Sequence, residues 1–268
     1  MKITFLGTGN AAVTEYYNTC FAMSEDKDVF LVDAGGGNTI LGRLKKAGIG
    51  LGDIRDIFVT HKHIDHILGI IWLVRMIAQQ LESGKITGSV NIYGHDEVIE
   101  LLYDICGKLL QKKQTKHIGV DILLHTVNDG DSAEILGRKV TFFDIHSTKA
   151  KQFGFAMELG EGKTLCCCGD EPLNEANEAY ARGCTWLLHE AFCLESEKDK
   201  YKPYEKAHTT VMSACMTAER MGAENLVLYH SEDSRPKKRK EVYTAEGKPF
   251  YTGKLYVPDD MESIELDI

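Results

Sequence analysis

Two rhythms of apolar positions run along this chain. Short runs such as Ile3-Thr4-Phe5-Leu6, Val29-Phe30-Leu31-Val32, Ile57-Phe58-Val59 and Leu226-Val227-Leu228-Tyr229 are rich in β-branched and aromatic residues and end at polar or glycine residues, which predicts strands. Between them, Ile67, Ile70, Ile71, Val74, Ile77, Ala78 and Leu81 recur at intervals of three and four and predict a helix over 66–82 that buries one face. Read this way, the first half has strands near 2–6, 19–23, 28–33, 55–60 and 89–93, with helices near 38–47, 66–82 and 95–112. The second half has strands near 119–125, 132–136, 138–145, 153–159, 163–168, 184–189 and 225–229, with helices near 173–181 and 207–221. Short strands are predicted around 254–257 and 262–267. Mixed strands with helices outside them imply an α/β fold in which sheets pack face to face between helical layers. No low-complexity linker interrupts the pattern, so a single domain over 1–268 is expected.

Composition narrows the function classes. At 268 residues the chain can bury a large core, and its net charge of −9 argues against broad nonspecific binding to nucleic acid, which needs many neutralised phosphates. A small phosphate-bearing substrate is compatible with that charge if cations reverse the local field. The opening Met1-Lys2-Ile3-Thr4-Phe5-Leu6-Gly7 reads as a strand and not as a signal peptide, and no eighteen-residue apolar run occurs. A cytoplasmic protein without membrane association is expected. The eight cysteines form no CxxC pair, and the run Leu165-Cys166-Cys167-Cys168 reads as a core strand with reduced thiols.

The chemistry concentrates in His61-Lys62-His63-Ile64-Asp65-His66, four metal-capable side chains in six residues directly after a strand-like run. In an extended segment residues two apart share a side, so His61 and His63 can meet one cation while the turn carries Asp65 and His66 to a second. Further candidates follow other apolar runs: His146 after Val140 to Ile145, Asp170 after Leu165 to Gly169, and His230 after Leu226 to Tyr229. Strand ends are where α/β proteins build sites. The seven candidate ligands are His61, His63, Asp65, His66, His146, Asp170 and His230. They suit two divalent cations, with Asp170 as the bridge and zinc favoured by five imidazoles, manganese or iron being the alternatives.

These motifs resemble the metallo-β-lactamase superfamily, and within it the ribonuclease Z-like branch, over nearly the whole chain. Phe5-Leu6-Gly7-Thr8-Gly9 with Asn18-Thr19, Leu31-Val32-Asp33-Ala34-Gly35, and the HxHxDH run His61 to His66 carry the likeness, with His146, Asp170 and His230 at the later ligand positions. His189-Glu190-Ala191-Phe192 resembles the branch's HEA(T)F motif, and His208-Thr209-Thr210 its HST-like motif. The resemblance implies a metallo-β-lactamase-type four-layer αββα sandwich, usually zinc, and a Glu190–His208 pair that handles the leaving group.

Two cations roughly 3.5–4 Å apart can hold a bridging hydroxide and clamp a phosphodiester for in-line attack. Asp65 can orient that hydroxide. His208, kept oriented and protonated by Glu190, can act as general acid. Ribonuclease Z enzymes of this branch also carry a long arm between the third ligand and the bridging aspartate. The step from His146 to Asp170 has room for a hairpin only, which makes transfer RNA a doubtful substrate. The expected partner is therefore a phosphodiester small molecule or an RNA 3' end, with a homodimer left open.

Alternative readings are an ester, lactone or thioester hydrolase on the same metal pair, and a di-iron oxidoreductase, against which Ile64 counts because that branch usually has Glu there. A binding module that had lost its ligands, and a β-lactam hydrolase, fit less well. Gly7-Thr8-Gly9 is a turn, not a dinucleotide fingerprint. Arg235-Pro236-Lys237-Lys238-Arg239-Lys240 is expected to be a solvated helix start, some of whose cations could meet a substrate phosphate. Lys108, Lys112, Lys113 and Lys116 lie in a stretch that could wall the substrate. His95, His117 and His125 are expected to be surface or structural, and His189 has no assigned role.

Overall fold

A computed structural model describes residues 1–266. It divides into two compact units interleaved in sequence. Unit 1 takes Met1–Gly7, Asn18–Asn128 and the chain from Met261, and unit 2 takes Thr8–Tyr17 and Asp129–Asp260.

Unit 1 contains β1 (Lys2–Gly7), β2 (Cys20–Glu25), β3 (Asp28–Val32), α1 (Thr39–Ala47), β4 (Ile54–Phe58), α2 (Ile64–Glu82), β5 (Val90–Gly94), α3 (Asp96–Leu109), α4 (Lys112–Thr115) and β6 (Ile122–Thr126). Unit 2 contains β7 (Ser132–Ile135), β8 (Arg138–Asp144), β9 (Phe153–Gly160), β10 (Lys163–Cys167), α5 (Glu178–Ala181), β11 (Trp186–Glu190), α6 (Lys198–Tyr201), α7 (Val211–Met221), β12 (Asn225–Tyr229), α8 (Arg239–Gly247) and β13 (Lys254–Tyr256). Strand β14 (Ser263–Glu265) returns to unit 1. It realises most of the strand expected around 262–267, of which residue 267 lies outside the described residues.

Each unit holds one seven-stranded sheet, ordered β14-β1-β2-β3-β4-β5-β6 in unit 1 and β13-β12-β11-β10-β9-β8-β7 in unit 2. In unit 1 the joints from β14 to β3 are antiparallel and those from β3 to β6 parallel. In unit 2 the joints from β7 to β10 are antiparallel and those from β10 to β13 parallel. The parallel strands β11 and β12 are buried at every position, which explains their largely apolar runs. In unit 2, Cys166, Cys168, Leu187, Leu226 and Leu228 join Val211, Ala214, Cys215 and Ala218 of α7 and Tyr243 of α8 in one core. All eight cysteines are free and buried.

Helix α2 is 19 residues long and apolar enough to cross a membrane by length and composition. It is a core helix of unit 1: it buries Ile67, Ile70, Ile71, Val74, Ile77 and Ala78, the predicted stripe except for half-buried Leu81. Gly69 is what lets it sit where it does. A Cβ there would lie 1.9 Å from the Ala34 carbonyl oxygen. The bare backbone instead approaches the turn after β3, with Gly69 N–H donating to Gly35 O (2.8 Å) and Ala34 N–H to His66 O (3.1 Å).

Several predicted helices differ from those observed. The helix expected over 95–112 stops at Leu109, because Leu110 is extended and Gln111 forms a capping box with Gln114 that starts α4. The helix expected over 173–181 is one 3-10 turn, Glu175–Asn177, capped by Asn174, followed by the four residues of α5. The helix expected over 207–221 begins only at Val211, capped by the Thr210 hydroxyl. Residues 207–210 are held out of it by contacts described below.

Candidate functional site

In unit 1 the candidate ligands follow β4 on a short extended segment, and His63 is the N-cap of α2. His61 Nε2 and His63 Nδ1 face each other at 2.8 Å, while Asp65 Oδ2 and His66 Nε2 face each other at 3.3 Å. The pairing expected from the spacing, His61 with His63 and Asp65 with His66, is what the loop presents.

Hydrogen bonding at the back of these rings fixes which nitrogen is anchored and which is turned away. Thr60 donates its hydroxyl hydrogen to Asp33 Oδ2 (2.7 Å), so at its 2.9 Å contact with His61 Nδ1 the imidazole must be the donor. Asp33 Oδ2 also accepts from His66 Nδ1 at 2.7 Å, and Asp33 Oδ1 accepts from the Thr60 amide at 2.9 Å. Both Nε2 atoms are thereby turned away from these anchors, and each is the nitrogen through which its imidazole would bind a metal once it carries no proton. In the metal-free chain the carboxylates favour a proton on His66, which a cation would displace. Burial alone would lower the His66 pKa, but the Asp33 and Asp65 carboxylates outweigh it and hold it well above its ordinary value. The loop draws positive charge to the spot its donors face, and it offers nitrogen and carboxylate together, a donor set that fits a divalent cation.

Asp33 was not assigned a role from the sequence. It sits in the left-handed region with φ 56°, where Asp is tolerated better than most residues, and this turn at the end of β3 brings its carboxylate to Thr60 and His66.

In unit 2 the candidates come from several strand ends. His230 follows β12 with φ 59°, and its Nε2 lies 3.6 Å from Asp170 Oδ2. Gly169, at φ 77°, turns the chain after β10 to present Asp170, and the Tyr229 hydroxyl donates to its carbonyl. His146 follows β8 with φ 57° and an exposed side chain; its amide is held by Asp144 Oδ1 at 2.7 Å. Among the described residues no hydrogen bond or ion pair ties the His146 ring to Asp170 or His230. Glu171 anchors the loop after His146, accepting from Ser147 Oγ (2.7 Å) and Gln152 Nε2 (3.2 Å) and pairing with Lys149 (3.3 Å).

Glu190 and His208 meet as expected, though not as an ion pair with a direct hydrogen bond. His208 Nδ1 is 3.7 Å from Glu190 Oε2, beyond hydrogen-bond reach. Glu190 is fully buried, and its other oxygen accepts from the Thr209 amide. That bond keeps 207–210 extended and delays the start of α7. Burial pushes the Glu190 carboxyl well above the usual range, against the pull of the Thr209 amide. Burial, with help from His230 and Lys149, pushes His208 down to about 3. Both shifts favour the neutral forms of the two groups in the metal-free chain. His208 stacks on Phe192 with ring centroids 5.0 Å apart, and its ring lies 5.3 Å from that of His230.

Two residues take roles the sequence left open or misplaced. His189 accepts from the Leu173 amide at Nε2 (3.0 Å) and so donates from Nδ1 to Glu190 O (2.7 Å), which ties the loop after Asp170 to β11. Burial depresses its pKa to about 4. Arg239, expected in a solvated helix start, is 3% exposed. It donates to Ser231 Oγ (2.8 Å), Thr8 Oγ1 (2.9 Å) and Pro258 O (2.5 Å), and lies over the Tyr16 ring. It pins the residue after His230 and is not available to a substrate phosphate; Arg235 is likewise paired, with Glu197 at 2.7 Å. His117 is a structural clamp between Asp121 (2.6 Å) and Glu82 (3.2 Å). His95 is buried beside Asp96, and His125 stacks on Tyr93.

Comparison with known proteins places this arrangement. A ribonuclease Z of Methanococcus maripaludis strain C5 is 27% identical, the match covering 86% of each chain. The metallo-β-lactamase fold protein YhfI of Bacillus subtilis superposes with a TM-score of 0.76 at 17% identity over 98% of both chains. The short form of human tRNase Z gives 0.76 at 21% identity over 100% of both. The expected metallo-β-lactamase fold is therefore the fold of this chain, which is a ribonuclease Z-like member of that superfamily of metal-dependent hydrolases. A narrower match follows: residues 1–247 fit the family model described as Anti-Pycsar protein Apyc1, and the chain belongs to that family.

Proposed function

We propose that the protein is a binuclear metal-dependent phosphodiesterase that prefers small phosphodiesters to transfer RNA. In this reading His61, His63, Asp65, His66, His146, Asp170 and His230 hold two divalent cations, zinc by the weight of imidazole. The observation that carries it is the presentation of the histidine loop: hydrogen bonds at the opposite nitrogens orient Nε2 of His61 and His66, and these atoms lie 2.8 Å from His63 Nδ1 and 3.3 Å from Asp65 Oδ2.

When bound, such a pair supplies Lewis acidity and a nucleophile at neutral pH. The chain's own residues do the rest. Asp33 and Thr60 hold the His61 and His66 rings in the binding tautomer. Asp65 orients the attacking group. Glu190 orients His208, and His208 gives a ring proton to the leaving oxygen as the ester bond breaks. Such a donor favours a phosphodiester with a poor leaving group over an acyl substrate, which needs none. The segment between His146 and Asp170 is the β9–β10 hairpin with its short turn, which supports the preference for small substrates. The solved structures of a PhnP-family diphosphatase and of yeast PDE1 share the fold, with TM-scores of 0.74 and 0.69. We place the protein in the cytoplasm.

The test uses two leaving groups. His208→Ala should lower turnover by roughly two to four orders of magnitude on a diester with an alkoxide leaving group, and far less on a nitrophenyl ester, with metal content intact. Equal slowing on both would reduce His208 to a positioning role. Elemental analysis after reconstitution should give about two metals per chain, the number seven ligands suit. One or none, or iron with oxygen reduction, would overturn the reading.

A further inference from the structure

One face of α2 carries a feature the metal chemistry does not use. Leu68, Ile71, Trp72 and Arg75 follow one another at helical spacing and, with Leu109, Leu110, Gly36 and Gly37, line a cleft of about 330 Å³ in unit 1. That volume is at the lower end of small-ligand sites and suits one ring with its substituents. The cleft begins beside the candidate ligands: a Cβ on Gly36 would lie 3.8 Å from Asp65 Cα. Trp72 is seven residues after Asp65, on the same side of the helix and roughly 10 Å along it at 1.5 Å per residue.

Two properties say what the cleft takes. Trp72 is 38% exposed, whereas Trp186, the chain's other tryptophan, is 1% exposed. A large aromatic face is thus left open beside an apolar wall of Leu68, Ile71 and Leu109. Arg75 stands next to it with its guanidinium 5.8 Å from the Trp72 ring centroid, and its only hydrogen-bond acceptor among the described residues is the Met76 thioether. Among the described residues it makes no ion pair with a carboxylate. A flat surface with an unneutralised five-donor cation at its edge is complementary to a planar ring that carries acceptor atoms on its rim.

We propose that this cleft binds the ester arm of the substrate that does not leave: a planar, acceptor-edged ring stacked on Trp72, its rim acceptor on Arg75. The proposal rests on the phosphodiesterase reading and makes Trp72 and Arg75 the residues that set specificity for that arm.

The experiment compares bis(p-nitrophenyl) phosphate with methyl p-nitrophenyl phosphate, which expel the same nitrophenolate and differ only in the remaining arm. Trp72→Ala should reduce the ratio of their kcat/KM values by about tenfold, mostly through KM, with metal content unchanged. Arg75→Ala should lower the ratio by several-fold, and Arg75→Lys should restore only part of it. A binding readout is independent of turnover. In Trp186→Phe protein, bis(p-nitrophenyl) phosphate should quench the remaining tryptophan emission saturably, and dimethyl phosphate should not. If wild type hydrolyses neither diester but the quenching saturates, the phosphodiesterase reading fails and the cleft assignment stands. An unchanged ratio in Trp72→Ala, or absence of saturable quenching, overturns the assignment. So does a Trp72→Ala protein whose mass by light scattering halves while its ratio is unaffected, which would make the cleft a contact between copies of the chain.

Discussion

In unit 1, four candidate ligands occupy six consecutive residues after a single strand, β4. In unit 2 they are spread over the ends of β8, β10 and β12, with Glu190 on β11 and His208 in the loop before α7. The sheets themselves share one plan, antiparallel joints giving way to parallel ones at the same place in the order. Both place an aspartate just beyond the strand where the parallel half opens: Asp33 after β3 and Asp170 after β10. The uses differ. Asp33 spends its oxygens on Thr60 and His66, whereas Asp170 faces His230. The lesson is that a compact motif needs its precision supplied from behind, by one backbone approach and one buried carboxylate. A dispersed set needs each strand end pinned separately, as Tyr229 pins Gly169, His189 pins Leu173 and Arg239 pins Ser231.

That contrast can be broken most severely at Gly69. Gly69→Val puts side-chain atoms against the Ala34 carbonyl, so α2 must leave the β3 turn and carry Asp65 and His66 with it. We expect a loss of about 3 kcal/mol in urea unfolding, the upper end of overpacking penalties, and loss of metal binding in equilibrium dialysis. Wild-type metal content would show that the helix contact does not set the loop.

Arg239→Met attacks the corresponding support in unit 2. Losing a buried cation that serves Ser231, Thr8 and Pro258 should cost on the order of 3 kcal/mol, since buried partners are left unsatisfied. Arg239→Lys should recover only a minority of it because a point charge cannot span the fork. Denaturation midpoints of the two variants decide the matter. A methionine variant as stable as wild type would show that the fork is dispensable.

Asp33→Asn sharpens the comparison without disturbing the packing. An amide can accept from Thr60 or His66 at one end only and adds no negative charge, so metal affinity in chelator competition should fall by about 10- to 100-fold, the usual effect of losing a partner behind a ligand. Unaltered affinity would mean that the rings are oriented by packing alone.

The smallest effect concerns His189. Its folded pKa, near 4, is below the ordinary value of 6.5, so the unfolded chain binds more protons across that interval. Stability should accordingly fall as pH drops from 6.5 toward 4 and be flat on this account above 6.5. In His189→Gln the slope of unfolding free energy against pH over that window should be shallower. An unchanged slope would assign the acid sensitivity to other groups.

What could be read from the chain followed the range of the interactions. The histidine loop and the βα alternation were legible because their determinants are contiguous. The start of α7 was not, since the extended 207–210 segment depends on Thr209 reaching a carboxylate 19 positions earlier. Arg239 looked solvated within a basic string because nothing local announces Thr8 or Pro258 as its partners. The shifts of Glu190 and His208 toward their neutral forms were hidden for the same reason: they come from burial, which sequence motifs do not report. Asp33 was visible as part of a motif, but its task became apparent only with Thr60 and His66 around it.

The pairing of β1 with β14 has a consequence for how the molecule is made. Lys2, Ile3 and Thr4 align with Glu265, Ile264 and Ser263, and Phe5 exchanges backbone hydrogen bonds with Glu262 and Met261. Strand β1 thus receives its outer neighbour only after residues 129–260 of unit 2 have been synthesised. Until then a nascent sheet with Ile3 and Phe5 at its rim has one open edge, the situation in which chains pair with the wrong partner. Unit 2 has the mirror problem, because Thr8, one of the residues Arg239 holds, precedes it by more than a hundred positions. Neither half can be completed from a contiguous stretch of chain, so the two halves should mature together rather than in sequence.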